Sequence, residues 1–149
     1  MNNIILDTNV LISIIDENDK WFKTTKEILT NLPENTNFII LDIVINESIN
    51  VLAKRFESKN QPENFIVALS KMETVYFDKI LWVSEYIKSY HFSIMTTLKE
   101  HKGLLNYNDS FIINYMLNNN LSDIFSYDED FDLIPSIKRI SNSQRKLTH

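Results

Sequence analysis

An α/β fold with a mainly parallel sheet is what this sequence predicts, and three observations predict it. Short apolar runs, "NIIL" at 3–6, "NFIIL" at 37–41 and "DIFSY" at 123–127, have the length and composition of buried strands. The segments between them repeat their apolar residues at helical spacing, and strands alternating with helices imply parallel pairing through crossovers. One glycine and three prolines in 149 residues leave no flexible joint, and no internal repeat is visible. A single domain over residues 1–149 is therefore expected, large enough to bury a core without disulfides, with a flexible tail over about 142–149.

Taken in order, "NIIL" is the first strand, and from Asn9 the pattern turns helical through Ile15. Residues 20–31 read as a second helix, ended by Pro33. After "NFIIL", Asp42 is placed to cap a helix over 43–58, in which Val44, Ile45, Ser48, Leu52 and Phe56 share a face. Pro62 opens a helix to about Glu73, since proline suits a first helical turn. "TVYF" at 74–77 reads as a strand, with Asp78 capping a long amphipathic helix to about His101. A helix over about 108–118, the strand "DIFSY" and a short strand "IKRIS" at 137–141 complete the chain.

Composition narrows the function classes. With no cysteine there is no disulfide scaffold, thiolate metal site or cysteine nucleophile, which leaves oxygen ligands or the three histidines for any cation. His91 and His101 lack metal-ligand spacing, and His149 is terminal. No stretch approaches the ~18 uninterrupted apolar residues of a membrane span, and no basic region precedes an apolar leader, so a cytoplasmic protein with no membrane association is expected. A formal net charge of −5 argues against a broad basic face for nucleic acid. Local basic clusters remain at Lys54-Arg55 with Lys59, at 99–102, at Lys138-Arg139 and at Arg145-Lys146, and solvated faces account for such clusters in the ordinary case.

The acids are more informative. Open parallel sheets bind ligands outside the carboxyl ends of their strands. Asp7 follows the first strand directly and Asp128 follows "DIFSY", while Asp109 falls in the first turn of a helix that starts at the same rim. Glu47 lies about one and a half turns into the helix after the second strand, amid Val44, Val51 and Leu52. Each has an ordinary alternative: Asp7 and Asp109 as caps, Glu47 as an exposed helix residue, Asp128 as part of the acidic turn "DEDFD". Those alternatives explain one residue at a time. Convergence of all four explains them together, and facing carboxylates are most simply reconciled by a divalent cation. Oxygen-only ligands favour Mg²⁺ or Mn²⁺, one ion or two, a combination suited to phosphoryl chemistry. Asp16 and Asp19 are expected to lie off this rim.

With those residues in place, the chain resembles the PIN domain family, the small nuclease fold of VapC-type toxins. "ILDTNVLISIID" resembles the family's opening strand and first acid, "LDIVINESINVLAKRF" its second, "LNYNDSFIINYML" its third, and "IFSYDEDFDLIPSIKRI" its closing segment. The resemblance implies a three-layer α/β/α fold with a central sheet of four to five strands. It further implies metal binding and catalysis by Asp7, Glu47, Asp109 and Asp128, with Asn9 and Ser126 as polar support. Asp130 and Asp132 fit a solvated turn, Asp132 alone being a candidate outer ligand. The implied activity is metal-dependent hydrolysis of RNA phosphodiesters to 5′-phosphate and 3′-hydroxyl ends, with Lys54 and Arg55 as candidate RNA backbone contacts. Implied partners are an RNA substrate, a cognate antitoxin and a second copy of the chain in a homodimer.

Other readings fit less well. A HAD-type phosphatase needs a second Asp where this chain has Asn9, and a receiver-type phosphorylation domain finds only Asp42 after "FIIL" as a poor acceptor. An RNA-processing nuclease outside a toxin–antitoxin pair and a non-catalytic interaction module stay open as alternatives. Replacing Asp7 by Asn separates the metal and cap readings, because Asn caps as well as Asp. If Asp7 holds a metal, activity is lost, and relief of like-charge repulsion is expected to hold or raise metal-free stability.

Overall fold

The computed structural model describes residues 2–142. Five parallel strands form one sheet, β1 (Asn2–Leu6), β2 (Thr36–Leu41), β3 (Ile80–Leu81), β4 (Asp123–Phe125) and β5 (Lys138–Ile140), in the order β3-β2-β1-β4-β5. The helices are α1 (Thr8–Ile15), α2 (Phe22–Asn31), α3 (Asp42–Ser58), α4 (Pro62–Val75), α5 (Ile87–Glu100) and α6 (Tyr107–Asn118). One group, α1 to α4, packs together, and α5 packs along α6, giving the three-layer α/β/α architecture expected from the sequence. Central β1 pairs Ile5 with Ile39 on one side and with Ile124 on the other. Its Ile4, Ile5 and Leu6 are buried, as both faces of an interior parallel strand must be.

The chain leaves β1 toward β2 and returns on the opposite side through β4, so the strand order reverses between β1 and β4. A crevice opens at the carboxyl ends of two such strands, because their following segments diverge. Asp7 occupies the first position after β1, and its N–H donates to Phe125 O at 3.0 Å, which joins the two strand ends. Ser126, directly after β4, donates its N–H to Ile140 O at 3.1 Å, continuing the ladder into β5.

Two predicted elements differ between β2 and α6. "TVYF" is not a strand: α4 continues to Val75, followed by a 3₁₀ turn at Phe77–Lys79. The helix persists because Phe65, Ala68, Met72 and Tyr76 recur at helical spacing and pack on the core, outweighing the local preference of a β-branched and aromatic run. The third strand is instead Ile80–Leu81, an edge of two residues paired with Ile40 and Leu41. Asp78 therefore lies in the 3₁₀ turn and caps no helix; a second 3₁₀ turn at Ser84–Tyr86 precedes α5, which begins only at Ile87.

Asp42 also differs from expectation. Leu41 is the N-cap of α3 and Asp42 its first residue. The Asp42 carboxylate accepts from the N–H groups of Ile43 at 3.1 Å, Val83 at 3.0 Å and Ser84 at 3.2 Å, and from the Ser84 hydroxyl. A buried carboxylate with several donors is stable where a bare one would not be. It fastens the loop after β3 to the start of the helix that carries Glu47. Among the described residues, no helix is long and apolar enough to cross a membrane. The expected tail falls, from residue 143 on, outside the described residues.

Candidate active site

Asp7 is 5% exposed and held by three donors. Its Oδ1 accepts the Thr8 N–H at 2.7 Å, and its Oδ2 accepts the Ser126 hydroxyl at 2.5 Å and the Asn9 amide at 3.0 Å. Asp7 is also the N-cap of α1, so the cap and the site are the same side chain. Asn9 is oriented by its own carbonyl, which accepts the Tyr127 N–H at 3.1 Å. The Ser126 oxygen accepts from Asn9 at 3.3 Å and from the Asp128 N–H at 2.9 Å. The residues read as polar support thus form a network that links the ends of β1 and β4.

Glu47 projects from α3 and shares one oxygen, Oε2, between the Thr8 hydroxyl and the Asn108 amide, each at 3.2 Å. Neither donor was legible as a partner of Glu47 in the sequence. Asn108 stands beside Asp109, and Thr8 beside Asp7, but only the packing of α1, α3 and α6 reveals whom they meet. Asp109 is buried at the start of α6, where it forms a capping box: its N–H donates to Asn106 Oδ1 at 2.9 Å, and its carboxylate accepts the Asn106 N–H at 3.4 Å.

Asp7, Glu47, Asp109 and Asp128 line one open cleft of about 510 Å³, with Thr8, Asn9, Asp19, Arg55, Trp21 and Tyr127 among its other walls. Carboxylate oxygens of Asp109, Asp128 and Asp130 lie within 4.8 Å of one another. Asp130, read from sequence as part of a solvated turn, therefore stands nearer this group than Asp132. Asp132 is half-exposed and engages Arg139 through two hydrogen bonds, at 3.0 and 2.6 Å.

Burial pushes the Asp7 carboxyl up to about 6, against the Ser126 and Thr8 hydrogen bonds that lower it, and the charges of Glu47 and Asp128 raise it further. Burial, then Asp7, Asp128 and Glu47, push Asp109 up to about 7, with the Asn106 bond acting in the opposite direction. The four acids are therefore electrically coupled. Such a donor set, all oxygen and carrying mutual repulsion at neutral pH, fits a hard divalent cation.

The basic candidates are placed differently. Arg55 faces the cleft, but its Nη1 is engaged by Asp16 at 2.8 Å and Asp19 at 2.9 Å. Asp19 thus belongs to the cleft wall, against the expectation from sequence, whereas Asp16, at the C-terminal end of α1, does not line the cleft and touches its wall only through Arg55. Lys54 is exposed and does not line the cleft.

An acidic cleft at the strand reversal of a three-layer α/β/α fold defines the class of this protein. The PIN domain family matches residues 4–136, and the chain belongs to that family. Curated protein sequences provide no match. Among solved structures, the chain is similar to VapBC2 from Rickettsia felis bound to a promoter DNA fragment, at 21% identity and TM-score 0.66 over 93% of this chain and 97% of that one. It is similar to the sarcin–ricin loop-cleaving toxin VapC20 of Mycobacterium tuberculosis, at 13% identity and TM-score 0.67 over 87% and 93%. FitAcB from Neisseria gonorrhoeae aligns at 17% identity and TM-score 0.67 over 93% and 96%.

Proposed function

We propose that this chain is a metal-dependent endoribonuclease, and that it acts in the cytoplasm as the toxin of a toxin–antitoxin pair. The observation that carries the reading is the meeting of Asp7, Glu47, Asp109 and Asp128, from four separate segments, in one cleft at the strand reversal. Family membership supports nuclease chemistry. The similarity to VapBC and FitAB assemblies supports an antitoxin partner, and the sarcin–ricin loop cleaved by one neighbour supports RNA as the substrate. A homodimer belongs to the same reading.

In this reading Asp7, Glu47, Asp109 and Asp128 hold Mg²⁺ or Mn²⁺, with Asp130 beside them. The ion supplies charge neutralisation at the scissile phosphate and acidification of the attacking water. The chain's own residues supply placement. Ser126 and Asn9 fix Asp7 by donating to Oδ2, which leaves that carboxylate no rotational freedom. Thr8 and Asn108 both occupy Oε2 of Glu47, which turns Oε1 toward other partners. The carboxylates must be ionised to serve as ligands, so the raised values of Asp7 and Asp109 make cation binding compete with protons below about pH 7.

The test is cleavage of a pool of single-stranded and structured RNA by wild type, Asp7→Asn and Asp109→Asn with Mg²⁺, Mn²⁺ or EDTA. Cleavage that requires the cation and is lost in both variants is expected. Cleavage that survives EDTA, or none from folded protein freed of copurifying partners, would overturn the reading.

A further inference from the structure

We infer that Lys20, Trp21 and Tyr127 form a nucleotide subsite on the wall of the acidic cleft, which takes one unstacked base of single-stranded RNA and its adjoining phosphate. This assignment rests on the RNA-cleaving reading of the same cleft and extends it to how the strand is held. The Trp21 and Tyr127 rings are stacked, 4.2 Å between centroids and 7° from parallel. Both line the cleft beside the carboxylates and both are half-buried; Tyr127 packs on the core and against Phe125, and Trp21, which is not part of that core, stacks on Tyr127.

The pair is fixed before any ligand arrives. The Tyr127 hydroxyl bonds to Thr25 Oγ1 at 2.7 Å, which in turn bonds to Ser13 Oγ at 2.6 Å. Its N–H is taken by Asn9, the residue that also holds Asp7, so ring and carboxylate keep one register. The Trp21 main chain is held by its backbone N–H, which donates to Asp19 Oδ1 at 2.8 Å, and its ring by the stack on Tyr127. A rigid, partly open aromatic surface is the element by which single-stranded nucleic acid is held without regard to sequence, since each base offers a π-face.

Lys20 provides the charge. Its Nζ lies over the Trp21 ring, 5.3 Å from the centroid, while Tyr127 stacks on that ring, so a base that stacks on Trp21 displaces the exposed Lys20 ammonium toward the adjoining phosphate. Two cations line the cleft, Lys20 and Arg55. Arg55 is engaged by Asp16 and Asp19, whereas Lys20 has no ion-pair partner among the described residues. A wall of acids repels a phosphodiester away from the bound cation, and an ammonium beside an aromatic surface offsets that repulsion one nucleotide along. Duplex RNA keeps its base faces stacked inside the helix and cannot use such a surface.

Two measurements test this on the full chain. In steady-state cleavage of a single-stranded RNA, Trp21→Leu is expected to raise KM roughly tenfold with kcat within about twofold. Lys20→Met keeps the alkyl stem at an exposed position, and is expected to raise KM and lower the slope of log affinity against log salt by about 0.7. In the Trp82→Phe background Trp21 is the sole tryptophan, and its fluorescence in EDTA is expected to be quenched by a single-stranded oligonucleotide and not by a duplex of the same sequence. Unchanged KM in both variants while wild type cleaves would overturn the subsite and leave the nuclease standing. If wild type cleaves no RNA, the nuclease reading fails and the quenching decides: selective quenching supports the subsite, and no quenching, or equal quenching by the duplex, overturns it.

Discussion

Asp7 and Asp109 are both buried acids of the cleft, yet their neutral replacements are expected to behave in opposite ways. Asp109 loses little in hydrogen bonding when it becomes Asn, since its side chain accepts only the long contact from the Asn106 N–H, while the repulsion from Asp7, Asp128 and Glu47 is relieved. Asp109→Asn should abolish cleavage and raise the metal-free Tm at pH 8 by about 2–5 °C, a gain that disappears at pH 5. Asp7 Oδ2 faces two donors, and Asn9 cannot reverse its amide without giving up the Tyr127 N–H. Asp7→Asn should therefore lose about 1–2 kcal/mol in chemical denaturation, against the sequence-based expectation that stability holds or rises. Ser126→Ala removes the group that donates to Asp7 and accepts from Asp128, so a loss of about 1–3 kcal/mol is expected, with weaker cation affinity by calorimetry. The sequence made the acids visible because Asp7 and Asp128 follow predicted strands, Asp109 falls in the first turn of a helix, and Glu47 stands amid apolar residues of a helix. It did not make their partners visible: Thr8 and Asn108 are small polar residues whose meeting with Glu47 depends on how α1, α3 and α6 pack.

Elements with strong apolar periodicity were legible, and those decided by tertiary contact were not. β1, β2 and β4 are apolar runs bounded by polar residues, so sequence places each to within about two residues. The edge strand β3 has two residues, one of them exposed, and no pattern of that length competes with the neighbouring "TVYF". Asp42 shows the same limit from the other side: as a residue before a helix it reads as a cap, but its donors come mainly from Val83 and Ser84, far along the chain. Asp42→Ala should destabilise the fold by about 2–4 kcal/mol, because it strands several buried N–H groups at once. Because α3 carries Glu47, the variant should also bind Mn²⁺ more weakly at temperatures where it remains folded. Equal stability and equal Mn²⁺ affinity in wild type and variant would remove Asp42 from this role.

Across the whole molecule, the acidic cleft makes stability depend on pH. Asp7 and Asp109, raised from 3.8 to about 6 and about 7, bind protons more tightly in the folded chain than in the unfolded one. The stability that comes from their neutral forms is complete below about pH 4 and is lost as pH rises through 6 and 7. Metal-free protein is therefore expected to melt at a higher temperature at pH 5 than at pH 8, and a saturating divalent cation at pH 8 should reverse the difference. Thermal denaturation in EDTA across that range checks the sign, and a flat profile would show that the carboxylates do not couple to folding.

The pairing of β1 with β4 sets the order in which these parts become available. Ser126 and Asp7, which meet in one hydrogen bond, stand 119 residues apart. The first acid leaves the ribosome well before its support and the strand beside it, which follow more than a hundred residues later. Chains fold more slowly when their contacts are distant in sequence. A nascent chain that stops short of β4 has Asp7, Glu47 and Asp109 but lacks both Ser126 and the β1–β4 pairing that brings it to Asp7. The cleft is consequently assembled only once β4 has been made, and the activity proposed for it waits for that strand.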